Sequence, residues 1–348
     1  MLGPPLLPRN LEASVRDLAS AKPDIRASAV ADLVRHAQAD DAIRARAVPL
    51  LTARLEDAHP RVRSAVAVAL GDLRANDAVT ALLVAVEDDD AHVRQMAINA
   101  LGEIADARAL PRLRRALNDS RPEVRYQSII AFARVGDRAS TIETSEVGDT
   151  LFAASNDDDD AIRHIVLRIA EERLDNGHPP EGRLLARARA LVDARESSPH
   201  VALAAAILLA KAGDERGHDL IVRVVRGEKV RGQAADKEDE RAAVELSGEL
   251  GLRDLVTHLE RRTWGVLRFV KDTCPFHARI ALARMGHDRA KKEILEELGS
   301  SRREVLSGAV VSAGRARMIE TRALIEKLTT VAVDPELKRE ALERLVET

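Results

Sequence analysis

One heptapeptide pattern recurs along the 348-residue chain and limits what it can fold into. Its copies are Asp57-Ala-His-Pro-Arg-Val-Arg63, Asp88-Asp-Asp-Ala-His-Val-Arg94, Asp119-Ser-Arg-Pro-Glu-Val-Arg125 and Asp157-Asp-Asp-Asp-Ala-Ile-Arg163. Each runs from an Asp to an Arg that follows Val or Ile. The first three lie 31 residues apart and the fourth follows after 38. Eleven residues past the Val another aliphatic returns, as Leu73, Ile104 and Val135. Eight residues before the Asp stands Pro49 or Pro111, with Thr80 and Asp149 in the other two copies. A period of this length holds two helices and their turns. One helical hairpin cannot bury its apolar face alone, so stacked neighbours must supply the other wall.

These residues resemble the HEAT repeat family, in the short form of phycobilisome-lyase-like proteins. The resemblance implies an antiparallel helix pair per repeat, with Pro in the first helix, Asp in the turn and Arg early in the second. Pro49, Asp57 and Arg63 match one repeat and Pro111, Asp119 and Arg125 another. Asp88 with Arg94, and Asp157 with Arg163, match two more without the Pro. The expected fold is an all-α solenoid, a superhelix of about nine such pairs. In it the Asp of one repeat can reach the Arg of the next, a ladder of charge-assisted hydrogen bonds. The carboxylates can also accept unpaired N–H groups at helix starts.

Composition agrees with this architecture. Aromatic residues are 2% of the chain (Tyr126, Phe132, Phe152, Trp264, Phe269 and Phe276), while 45% is hydrophobic. A core without large rings is built from small aliphatics at close range, which packed helices provide. The single Cys274 excludes a disulfide framework and a multi-cysteine zinc site. The longest apolar run, Val201 to Ala210, is too short to span a bilayer. The start has neither a basic nor a long apolar region of a secretory signal, so a cytoplasmic location is expected. The net charge of −3 argues against nucleic acid as the partner.

Along the chain, residues 1–10 read as a flexible lead and 11–175 as regular repeats, the first marked by Asp24-Ile-Arg26. Gly and Pro from Asn176 to Gly182 mark a break, and 176–348 read as divergent repeats continuing the same solenoid. Their trace is a helix end followed by Gly, at Gly213, Gly251, Gly286 and Gly314, read as left-handed C-caps. Gly227–Glu240 and Thr141–Glu146 read as exposed loops. Residues 1–175 hold 23 basic and 29 acidic residues, a net of −6; residues 176–348 hold 31 and 28, a net of +3. Such asymmetry allows steering or self-association.

Two regions are candidates for partner contact. Positions two, six and ten past the repeat's Val form one stripe on the second helix: Gln95, Asn99 and Glu103; Tyr126, Ile130 and Arg134; His164, Arg168 and Glu172. In the resembling family this face lines the concave side, and these positions vary while the frame does not. The other region is Trp264 to His277, where Trp264, Phe269 and Phe276 interleave with Arg261, Arg262, Arg268 and Lys271, the mix enriched at interface hot spots. Cys274 and His277 lack the two further ligands of a zinc site. Asp157–Asp160 lacks the spaced carboxylates of a calcium loop. No catalytic, cofactor or metal site is expected. The reading is a non-catalytic scaffold or adaptor for partner proteins. Phycobilin lyases share the repeat type, which makes a tetrapyrrole-handling or partner-modifying role the alternative. HEAT-like DNA glycosylases supply a third, nucleic-acid binding.

Overall fold

The computed structural model describes residues 10–138, 144–194, 198–270 and 272–346. Twenty helices follow one another among the described residues, enough for ten consecutive pairs where about nine were expected. Their only β-pairing is an isolated bridge between Val230 and Gln233. The chain forms two compact units, Met1–Leu184 and Leu185–Thr348. Of the expected N-terminal lead, residues 1–9 lie outside the described residues, and Asn10 caps the first helix.

In the first unit the second helices of successive repeats are Pro23–Ala39, Pro60–Asp72, Ala91–Ile104, Pro122–Arg138 and Asp160–Asp175. Each packs on the next. The first helices are short, for example Val79–Ala85, where Val79, Leu82, Ala85 and Val86 are buried and Val84 is exposed. Apolar residues three and four apart make this one-sided burial.

Four bidentate ion pairs link the repeats. Arg26 donates Nε and Nη2 to Asp57 at 2.8 and 2.6 Å, and Arg63 donates to Asp88 at 2.7 Å through each nitrogen. Arg94 holds Asp119 at 2.8 and 3.0 Å, and Arg125 holds Asp157 at 2.8 and 2.9 Å. The sense is opposite to the one expected from sequence: the Arg of one repeat reaches forward to the Asp of the next. The reason lies in the remaining nitrogen. Nη1 of Arg63, Arg94 and Arg125 donates to the backbone carbonyl of Asp57, Asp88 and Asp119 in the arginine's own turn, at 2.9–3.0 Å. Each guanidinium is thereby anchored at home and points its fork outward. Each motif Asp also accepts the backbone N–H two residues on, from His59, Asp90, Arg121 and Asp159, all at 2.9 Å.

The helix cap is a different residue from the rung. Asp90 and Asp159 cap their helices by accepting from His92 and Val93, and from Ala161 and Ile162. In the run Asp157–Asp160 the first residue is a rung, the third a cap, and the fourth pairs with Arg163. Arg163 also donates to the carbonyls of Asp157 and Asp158.

Second helices meet at Gly–Ala contacts. A Cβ on Gly71 would lie 2.9 Å from Ala100 Cα, and one on Gly102 3.0 Å from Ala131 Cβ. In the second unit Gly248 faces Ala281 and Gly314 faces Ala341 in the same way, at 2.4 and 2.8 Å to Cα. Gly213, Gly251 and Gly286 do have positive φ at helix ends. Gly314 does not: it is helical, its missing side chain allows the close approach of Ala341, and the left-handed residue is Arg317. Arg74 and Ala105 take that left-handed position in the first unit.

The two expected loops are only partly loops. Helix Thr144–Ala154 begins inside Thr141–Glu146, whose first three residues lie outside the described ones. Within Gly227–Glu240, Val230 is buried and bridged to Gln233, and Asp236 caps a helix that starts at Lys237. The apolar run Val201–Ala210 lies in helix Pro199–Lys211, which is buried all round; among the described residues no helix is long and apolar enough to cross a membrane.

Arg94→Ala should lower stability by about 2–3 kcal/mol, between the values for exposed and for buried pairs with one partner removed, read as a fall in the thermal midpoint. Burial alone would raise the carboxyls of Asp57, Asp88 and Asp119, but the guanidinium and N–H donors outweigh it and hold them below the usual range. For Asp157 the bond from Arg125 is the leading cause of the same shift. A depressed folded-state pKa adds stability that is complete above the ordinary Asp value near 3.9 and lost as pH falls through the folded value. The thermal midpoint should therefore drop steeply from about pH 4 downward, and less steeply in Asp88→Asn. Gly248→Ala should cost about 1–3 kcal/mol by overpacking against backbone, with Gly251→Ala serving as the contrasting strained-φ control.

Candidate functional site

The second-helix stripe of the first unit is built by the ladder and the Gly–Ala contacts, which hold successive second helices in one register. Several of its polar residues are paired across neighbouring helices. Gln127 donates to Asn99 at 3.0 Å, and Arg134 pairs with Glu103. Arg168 pairs with Glu171 one turn on in its own helix, and buried Arg173 with Asp137. Burial lowers the pKa of Arg173. Gln95, Tyr126 and His164 are half-buried on the same face.

The stripe extends further back than the sequence reading took it. The equivalent positions of the first two repeats are Ala27, Ser64 and Val68. Together with Ala65, His92 and Met96 they line a shallow groove of about 420 Å³, closed at one rim by the Asp24–Arg61 ion pair. Side chains two past the repeat's Ile or Val grow from Ala27 and Ser64 to Gln95, Tyr126 and His164. The face is thus open at one end and filled at the other. Sequence reasoning missed the open end because it looked for charge and rings; the usable signal was the run of small residues at the stripe's own spacing.

The Trp264–His277 segment does not act as one surface. Trp264 ends helix Val256–Trp264 and is half-buried against the core of the second unit. Its indole N–H donates to Glu293 at 3.0 Å, Arg289 lies 4.1 Å above its ring, and the His287 ring is 5.5 Å away. Phe276 is also packed on that core, edge-on to His277. His277 bonds Glu245 at 2.9 Å, and Arg315 reaches the same carboxylate. Burial would raise Glu245, but His277 and Arg315 outweigh it and lower its pKa. Phe269, 77% exposed, stands apart from both in the turn Val266–Phe269, beside exposed Val266 and Val270. The side chains of Arg268 and Lys271 lie outside the described residues. Trp264 and Phe276 are therefore packing residues, and Phe269 is the aromatic that reaches solvent. Cys274 is buried in a left-handed turn, its thiol pushed up to about 11 by burial and by Glu240 and Asp272.

Repeated helix pairs joined by a forward Arg–Asp ladder define a helical-repeat protein. The sequence profile of HEAT repeats matches residues 14–93 and 80–168, so this part of the chain carries HEAT-type repeats. No curated protein matches the chain in sequence. Among solved structures it is similar to YibA of Escherichia coli, with a TM-score of 0.53 and 17% identity over 80% of this chain and 93% of that one. It is similar also to a chain in a homology model of the full-length AP-3 complex in an intermediate open conformation (TM-score 0.56, 13% identity, 96% of this chain and 68% of that one). The CpcE–CpcF complex of phycocyanin lyase from Nostoc sp. PCC7120 aligns at a TM-score of 0.39 with 19% identity, over 84% of this chain and 95% of that one. The first two likenesses show the fold; the third is too weak in shape to bear on function.

Trp264→Ala should destabilise the chain by about 2–3 kcal/mol, as expected for a half-buried ring that loses its packing and its hydrogen bond to Glu293. Phe269→Ala should leave the thermal midpoint within about 1 °C of the parent, since it removes an exposed ring.

Proposed function

We propose that this chain is a non-catalytic scaffold that binds a partner protein on the second-helix face of residues 23–175. The observation that supports this most is the division of labour within each repeat. Frame positions are occupied by the same Asp, Arg and aliphatic residues, while the first two stripe positions differ in every copy and the stripe ends in an open groove. A rigid frame with variable positions presents an extended surface without ordering cost on binding. The groove floor of Ala27, Ser64 and Ala65 admits side chains from a partner, and Tyr126 is the aromatic anchor of the filled end. Self-association through the acidic and basic halves is an outcome of the same test.

Tagged chain should capture a defined partner from native lysate, identified by mass spectrometry. Ala65→Arg, which fills the groove, and Tyr126→Ala should each reduce that capture by about tenfold or more, the loss of about 1.4 kcal/mol, with circular dichroism unchanged. Equal capture by both variants would overturn the assignment of this face. Recovery of the chain itself as the sole partner would replace the adaptor reading with self-association.

A further inference from the structure

A cleft of about 420 Å³ opens in the second unit between helices His218–Arg226 and Val256–Trp264 and the loop that precedes helix Lys237–Glu249. Its size falls within the range of small-molecule sites. The floor is Arg262, which is buried and fully engaged. Nε and Nη2 donate to the carbonyls of Val225 and Val224 at 2.8 and 2.7 Å, and Nη1 donates to Glu240 and to the Thr273 carbonyl at 2.7 and 3.2 Å. Glu240 is further bound by Lys237 at 2.8 Å, and Asp272 by Arg241 at 3.2 Å. These interactions engage Glu240 and Asp272 and tie three helices and a loop into a rigid wall.

Of the remaining lining residues Glu228 is an exposed acid, set against the cations Arg226 and Arg261. Arg226 and Arg261 line the cleft, are exposed, and have no ion-pair or hydrogen-bond partner among the described residues. His258 lies one turn before Arg261 on the same helix face, lines the same cleft, and has a buried Nδ1 with no hydrogen-bond partner. Buried polar atoms are rarely left so without reason. Both arginines sit in the last turn of a helix, where the dipole favours a cation; that accounts for their charge but not for their convergence on one cleft with an unsatisfied imidazole. Ala234, Ala235 and Val225 supply an apolar side.

We infer that this cleft binds a small organic oxyanion, an acid group on a partly apolar body. The guanidinium groups of Arg226 and Arg261 hold the oxygens, as forked donors suit phosphate and carboxylate alike. The His258 ring turns to donate from Nδ1, and the body of the ligand lies against Ala234 and Ala235. The cleft shares no residue with the second-helix face of residues 23–175, so ligand binding and partner capture can fail independently.

Isothermal titration calorimetry of the full chain with phenyl phosphate and, separately, with benzoate tests this and tells the two acid groups apart. Saturable binding of at least one probe is expected, weaker by about tenfold or more in Arg226→Gln/Arg261→Gln. Both positions are exposed, and circular dichroism should confirm that the variant folds. Ala235→Glu, which places a carboxylate in the cleft, should abolish the same signal. Absence of saturable binding for both probes, or equal affinity in the double variant, would overturn the site.

Discussion

The structure of the first unit depends on one interaction: a guanidinium anchored to its own turn that grips the carboxylate of the next. Arg63, Arg94 and Arg125 each use one nitrogen for a carbonyl at home and two for the neighbouring Asp. The carboxylate is held in turn by the N–H two residues later. The motif carboxylate and guanidinium are thereby both held, and the distance from one turn to the next is set by the length of an arginine. An aliphatic contact alone would tolerate sliding; a bidentate fork does not.

With the turns pinned, the second helices are drawn together until backbone nearly meets backbone. Gly71 against Ala100 and Gly102 against Ala131 leave no room for a side chain. This is the physical reason for a chain with few rings. Phe132 is the one aromatic among its largest fully buried residues. The second unit keeps the same device at Gly248 and Gly314 but has other electrostatics. There buried Arg262 ties helix ends to a loop through two carbonyls, and Glu245 gathers His277 and Arg315. The second unit's departure from the regular ladder coincides with the cleft over Arg262 and the exposed Phe269 turn.

Particular residues show how far the sequence could be read. The rung residues Asp57 to Asp157 were visible because their spacing repeats; Arg163, read as one of them, pairs instead with Asp160 in its own helix. Leu73 and Val135 were visible as buried positions because an aliphatic returns at the same distance in each repeat. The stripe from Gln95 to Arg168 was visible as a set, since it follows from counting along a helix. Its mutual pairing, Gln127 with Asn99 and Arg134 with Glu103, was not, because it joins different repeats. The Trp264 segment misled for a related reason. Nearness in sequence suggested one surface, but Trp264 and Phe276 turn to the core, and Trp264 is held by Glu293 and Arg289 of the next repeat.

By itself the sequence determined the all-α repeat architecture, the positions of the helix turns and the residues of the frame, because these follow from local periodicity and from what one hairpin leaves unsatisfied. Only the tertiary structure decided the forward sense of the ladder, the role of Gly314 as a contact rather than a cap, the small-residue groove, and the meeting of Arg226, His258 and Arg261. Each depends on the offset between neighbouring repeats. That offset is set by the reach of an arginine and by how closely two backbones can approach, and neither is written in the spacing of residues along one helix.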